Sequence, residues 1–150
     1  MIEIEGNIWD YFSIDSWVVV TTNGTVKHNN RFRRPQLVMG AGIAKQAKIY
    51  FPGVDYKLGK LVSHGGLSIE FLEQEHLVAF PTKHNWYDAT SDIKLIEGGL
   101  KVLANHTGIF YLPRLGCGNG KLSWEDEVKP LMKQYLVSDR FRVVTPRREP

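Results

Sequence analysis

Val38-Met39-Gly40-Ala41-Gly42-Ile43-Ala44 is a glycine-spaced stretch that joins two different apolar patterns. Upstream, Trp17-Val18-Val19-Val20-Thr21 is an unbroken run without alternation, as a central strand covered on both faces requires. Downstream, Ile43, Ala44, Ala47, Tyr50 and Phe51 recur at helical spacing with Lys45, Gln46 and Lys48 on the other side, and Phe51-Pro52-Gly53 stops the helix. Strand, glycine loop and helix in that order make an α/β unit with an anion site at the loop. Glycines let a backbone approach a phosphate, and the unpaired N–H groups of the helix's first turn point at it from the positive end of the dipole. The same spacing also writes an ordinary tight turn, so the loop alone leaves both readings open.

A second stretch repeats the design: Phe110-Tyr111-Leu112-Pro113-Arg114-Leu115-Gly116-Cys117-Gly118-Asn119-Gly120 follows a buried-looking strand and precedes a helix. Two such loops can grip a diphosphate from both sides. Three words carry a resemblance, in order along the chain: Met39-Gly40-Ala41-Gly42-Ile43-Ala44, Phe80-Pro81-Thr82-Lys83-His84, and Pro113-Arg114-Leu115-Gly116-Cys117-Gly118 followed by Leu122-Ser123-Trp124. Together they resemble the macrodomain family, whose members bind ADP-ribose. Within it they are most similar to the terminal ADP-ribose glycohydrolases and to the antitoxin macrodomains that strip ADP-ribose from DNA.

The resemblance implies one domain over residues 1–150, a three-layer α/β/α fold with a mixed, mostly parallel six-stranded sheet. Its ligand would lie across the C-terminal strand edge with its diphosphate between the two glycine loops. The ADP-ribose contacts carried over are Met39, Gly40, Ala41, Gly42, Ile43 and Ala44 on the first loop. On the second they are Pro113, Arg114, Leu115, Gly116, Cys117, Gly118, Asn119 and Gly120, and Asn7, Ile8, Thr22, Asn23 and Thr145 complete the set. Lys83 matches the catalytic lysine of both glycohydrolase branches. Stripped of water and set near other cations, a lysine amine is freed as a nucleophile. The implied activity is removal of ADP-ribosyl groups, from DNA first, with no metal and no cofactor. The alternatives are hydrolysis of ADP-ribosyl-carboxylates on proteins or of ADP-ribose 1″-phosphate, and a non-catalytic ADP-ribose reader. A cognate ADP-ribosyltransferase is the implied partner. The protein-directed branch places an aspartate where this chain has Gly120, and that departure favours nucleic acid.

Composition is compatible with all of this. At 150 residues, 43% hydrophobic and 23% charged, the chain suits one globular domain. A single cysteine excludes an intrachain disulfide framework, Met1-Ile2-Glu3-Ile4-Glu5 lacks the marks of a signal peptide, and no stretch reaches membrane-span length; the expected location is cytoplasmic, with no membrane partner. The net charge of +3 is uneven: Lys27, His28, Arg31, Arg33 and Arg34 form one basic cluster, and Arg140, Arg142, Arg147 and Arg148 another. Such clusters read equally as solvated patches and as phosphate contacts.

The rest of the chain supplies positions and alternatives. Ile2 and Ile4 alternate with glutamates in a short first strand, and Asn7 either accepts from an adenine amino group or caps the turn Ile8-Trp9-Asp10-Tyr11. Thr22 and Asn23 reach the strand edge where ribose hydroxyls would lie. The polar segment from Gly24 to Gln36 reads as a surface loop in which Arg31, Arg33 and Arg34 are possible substrate contacts, as are His84 and Trp86 beyond Lys83. Leu67–Glu73 and His76–Phe80 read as adjacent strands although their turn lacks glycine. Thr90-Ser91-Asp92 opens a helix with an Ile93, Ile96, Leu100 and Leu103 stripe. Cys117 invites a nucleophile reading, but no base is legible beside it and a small residue between glycines suffices. Ser123 caps a last helix in which Pro130 predicts a kink, and Arg140–Thr145 alternates as a final strand.

Overall fold

Apolar runs separated by helical stretches have to return to the same side of a sheet, and five of them do so as parallel strands. The computed structural model describes residues 1–147; Arg148 of the C-terminal basic cluster lies outside them. The strands are β1 (Ile2–Glu5), β2 (Trp17–Thr22), β3 (Val26–Lys27), β4 (Gln36–Leu37), β5 (Glu70–Leu72), β6 (Leu77–Pro81), β7 (Phe110–Leu112) and β8 (Phe141–Thr145). Six of them form one sheet in the order β1-β8-β7-β2-β6-β5. All neighbours run parallel except β5, which pairs antiparallel with β6. The five parallel strands therefore end at one edge.

Alternation along the central strands sorts the core into two layers. Val18, Val20, Leu77 and Ala79 pack with Ala44, Ala47, Val54 and Leu58 from α1 (Gly42–Tyr50) and α2 (Val54–Gly65). Val19, Val78 and Phe80 point the other way, against Ile96, Leu100 and Leu103 of α3 (Ile93–Ala104) and Met132 of α4 (Lys129–Tyr135). This is the expected three-layer arrangement. Burying each of the larger side chains, such as fully covered Phe80 and Phe110, contributes about 1.5–3 kcal/mol.

Three local expectations change. The turn before β6 needs no glycine because His76 itself takes the left-handed conformation, at φ 55°. Pro130 produces a widened turn in place of a kink: over Trp124–Val128 the ladder slips by one residue, the Lys129 N–H reaches the Trp124 carbonyl, and Pro130 enters the first turn of α4, where no N–H is missed. The segment from Gly24 to Gln36 is more than a loop. Its ends pair as the antiparallel ribbon β3–β4, and Asn30 ties the tip by accepting from the N–H groups of Phe32 and Arg34 at 3.1 and 3.3 Å. The ribbon lies directly on α2 at Gly59, where a Cβ would strike the Pro35 carbonyl. Among the described residues no helix is long and apolar enough to cross a membrane.

Candidate functional site

Two adjoining cavities open at the C-terminal strand edge, one of about 600 Å3 and one of about 740 Å3, and both are lined by Gly42, Ile43 and Pro113. The smaller lies between the two glycine loops; the larger runs from there toward the ends of β1 and β8.

The first loop presents bare backbone. Ala41 is extended at φ −147° and offers no side-chain cap, so the first N–H groups of α1 have no partner from a capping side chain. Gly42 sits at φ 57°, and a Cβ at Gly40 would meet no atom within 4 Å. Met39 and Ala44, only 3% and 8% exposed, anchor the loop in the core. Its entry is shaped by Asn23, whose Nδ2 donates to the Val38 carbonyl and whose Oδ1 accepts from Thr25 N–H, both at 2.9 Å. The Asn23 amide is thus engaged in building the loop, while Thr22 and Asn23 both line the smaller cavity.

The second loop is wedged. Leu115 is fully buried and lines neither cavity. Gly116, at φ 72°, packs so closely on Ile96 that an added Cβ would stand 2.9 Å from its Cδ1. A Cβ on Gly120 would run into Ser91 Oγ and the Gly116 carbonyl, which leaves no room for the carboxylate other branches place there. The Ser91 hydroxyl is buried with no hydrogen-bond partner. Cys117 is absent from both linings; its Sγ lies 3.4 Å from the Leu115 carbonyl, and burial pushes the thiol up to about 11. A thiol so protonated is no nucleophile, and the reading of Cys117 as a small loop residue fits the geometry. Gly118, Asn119 and Arg114 do line the smaller cavity. The Arg114 guanidinium rests over the Trp124 ring at 5.1 Å and lies 4.0 Å from Glu3 Oε1. Glu3 also takes Lys129 at 2.9 Å and the Trp124 indole N–H at 3.1 Å; the Lys129 bond, before the others, holds its carboxyl below the usual range.

Lys83 stands at the end of β6 and is half-buried, with Nζ 3.4 Å from the Asn119 carbonyl across the cavity. The segment that carries it is fixed on both sides. Thr82 N–H donates to the Thr22 carbonyl at 3.0 Å, Gly24 N–H to the His84 carbonyl at 3.0 Å, and Asp92 N–H to the Thr82 carbonyl at 2.8 Å. His84 points away from the cavity, its Nε2 2.8 Å from Asp92 Oδ2. Asp92 caps α3 by accepting from Lys94 N–H, and the His84 bond is the main cause that lowers its carboxyl. Trp86 lines the cavity and is 52% exposed.

A sheet edge with two glycine loops around one cleft can be compared with solved structures. The macrodomain of Thermus aquaticus DarG is 26% identical, covers 98% of this chain over 97% of its own length, and superposes with a TM-score of 0.71. The chain has the macrodomain fold. Thermosipho africanus DarTG in complex with ADP-ribose is similar over 92% of this macrodomain and 40% of its own chain, with 27% identity and a TM-score of 0.70. In sequence, a Thermosipho africanus DNA ADP-ribosyl transferase-DNA ADP-ribosyl glycohydrolase fusion protein is 34% identical over 128 residues, 66% of this chain and 32% of that one. The macrodomain spans about a third of the length of the curated relatives it matches. No family model matches it.

In the larger cavity of the macrodomain, Asn7 and Ile8 line the wall, and Asn7 Oδ1 accepts from Trp9 N–H at 3.0 Å as the cap of the short turn Ile8–Tyr11. Asp10, Tyr11 and Gln46 line it too, and the sequence reading missed these three; Val144, Pro146 and Arg147, at and beyond the end of β8, line it as well. It selected Thr145, which lines neither cavity. Period-two alternation puts its neighbours in the wall, while the Thr145 carbonyl accepts from Gly6 N–H at 2.9 Å.

The structure does not bring Arg31, Arg33 or Arg34 to either cavity. Arg34 lies over Tyr56 of α2 at 5.0 Å, Phe32 meets the same ring edge-on, and Arg31 lies over Phe32. Lys27, from the same basic cluster, is the member that lines the smaller cavity. Of the C-terminal cluster, Arg147 lines the larger cavity and Arg140 and Arg142 are structural. Arg140 donates to the Ala104, His106 and Gly108 carbonyls beyond α3, and Arg142 donates to the Tyr111 hydroxyl at 2.7 Å.

Proposed function

We propose that this macrodomain is an ADP-ribosyl hydrolase that removes ADP-ribose from a nucleobase of DNA, acts in the cytoplasm, and works opposite a cognate ADP-ribosyltransferase. The observation that carries the reading is the single cleft in which unpartnered N–H groups of α1 face one wall while the Lys83 amine faces the other. Similarity to a DNA ADP-ribosyl glycohydrolase, and to one fused to a DNA ADP-ribosyl transferase, supports the substrate and the partner. So does the lack of space for a carboxylate at Gly120.

ADP-ribose lies with adenine in the larger cavity and diphosphate against the first loop, with the second loop closing from the other side. The distal ribose is thereby presented to Lys83. The Lys83 Nζ forms a bond to the anomeric carbon as the bond from that carbon to the base breaks, and the proton shed by the amine on bonding leaves with the base. Water then adds to the lysine adduct, releasing ADP-ribose and restoring the amine. Positioning by backbone donors, with no metal, supplies the remaining acceleration. Lys83→Ala should lower turnover of an ADP-ribosylated oligonucleotide by about a thousandfold or more, while calorimetry shows ADP-ribose affinity within about twofold of the parent. Full activity in that variant would remove Lys83 from the chemistry.

A further inference from the structure

Beyond the cleft, the segment that carries Lys83 holds two large aromatic rings in solvent. Trp86 is 52% exposed and lines the cavity; Tyr87 is 65% exposed, lines neither cavity, and meets the Trp86 ring edge-on at 5.8 Å. Exposed aromatics usually sit on yielding loops, and this loop is tied down. Trp86 N–H donates to Thr25 Oγ1 at 3.0 Å, Asn85 N–H to Asp88 Oδ2 at 2.9 Å, and Asp88 N–H to the Asn85 carbonyl at 3.1 Å. The carboxylate next to the rings in sequence, Asp88, is therefore turned into the loop. Rings held this way lose little freedom when something stacks on them.

Charge indicates what stacks. Between Asp15 and Asp55 the chain has six lysines and arginines and no acidic residue, and this span supplies β2, the ribbon, the first glycine loop and α1. Lys27 from the ribbon lines the same cavity as Trp86, and the ribbon is joined to the aromatic loop through Thr25. Lys27 beside a fixed aromatic edge, in a span of chain that carries cations and no carboxylate, matches a single nucleic-acid strand, whose phosphates seek cations and whose bases offer faces.

Resting on the hydrolase reading above, we propose that Tyr87, with Trp86 behind it, is the platform for the unmodified base next to the ADP-ribosylated nucleotide. The substrate is then a single strand and not a free modified nucleotide. Stacking on a ring reads no base edge, so the neighbouring base can be of any kind but must be unpaired.

The test compares an ADP-ribosylated mononucleotide with a short single-stranded oligonucleotide carrying the same modification at its centre. Tyr87→Ala should raise KM for the oligonucleotide about tenfold, leave its kcat unchanged, and leave the mononucleotide unaffected. Tyr87→Phe should retain the parent values, and an abasic site beside the modification should reproduce the Tyr87→Ala loss in the parent protein. Binding of both ligands to the Lys83→Ala variant, with and without Tyr87→Ala, gives the same ratio without chemistry. Failure of the parent to turn over either substrate sinks the hydrolase reading while the binding ratio still decides the platform. Equal binding of the two ligands, an equal loss on both in Tyr87→Ala, or a Tyr87-dependent preference for an ADP-ribosylated peptide would overturn the platform.

Discussion

The two glycine loops look alike in sequence and differ in what surrounds them. Around Gly40 there is open space, and the helix that follows begins without a side-chain cap. Around Gly116 and Gly120 there is none, since Ile96 of α3, Ser91 before it and the loop's own backbone occupy the places where a Cβ would go. At Gly40 the missing side chain leaves the backbone bare, whereas at Gly116 and Gly120 it lets the protein pack on itself. Glycine spacing reports close approach and is silent on what approaches.

That contrast can be broken by adding single carbons. Gly120→Ala should have the larger effect on the fold: overpacking against Ser91 and the Gly116 carbonyl costs about 1–3 kcal/mol, visible as a Tm lowered by about 3–10 °C. Pairing it with Ser91→Ala, which deletes an unpartnered buried hydroxyl, should recover part of that loss. A parent-like melting curve for Gly120→Ala would show that the loop yields. Gly40→Ala should invert the pattern, with stability within about 0.5 kcal/mol of the parent and ADP-ribose affinity weaker by about tenfold. Unchanged affinity would mean that the ligand does not pass there.

A smaller effect distinguishes the loops by pH. The second loop leans through Arg114 on Glu3, whose carboxyl is lowered chiefly by Lys129. Because the folded value lies below the unfolded one of 4.5, the stabilisation is complete above about pH 4.5 and is lost as pH falls through the folded value. Glu3→Gln should therefore be less stable than the parent at neutral pH, with the two denaturation curves converging in acid. A gap that persists at low pH would assign the effect to packing around Trp124.

Much of this architecture was legible. The unalternating Trp17–Val20 run, the helical spacing after Gly42 and the Ile96, Leu100 and Leu103 stripe each became the element they indicated, because burial on a known face dictates their pattern. The ribbon was hidden because its two pairs contribute only Val26 and Leu37 as apolar markers among polar residues. Arginine placement was illegible for another reason. A long cationic side chain goes to whichever ring or carbonyl lies within reach, and Tyr56 and the end of α3 are far from Arg34 and Arg140 in sequence. Of the proposed ligand wall, both loops were visible as words, whereas Tyr11 and Gln46 come from elements that only the folded sheet assembles.

The seat of the ribbon on α2 has an outcome at a distance. Where Gly59 faces Pro35 the helix and the ribbon touch through backbone alone, and the same ribbon delivers the chain through Leu37 and Val38 into the first loop. The strand that feeds the first loop is thus seated by a position on the far side of the ribbon. A methyl group at position 59 would jack the ribbon away from its helix and lift the chain that leads into the first loop.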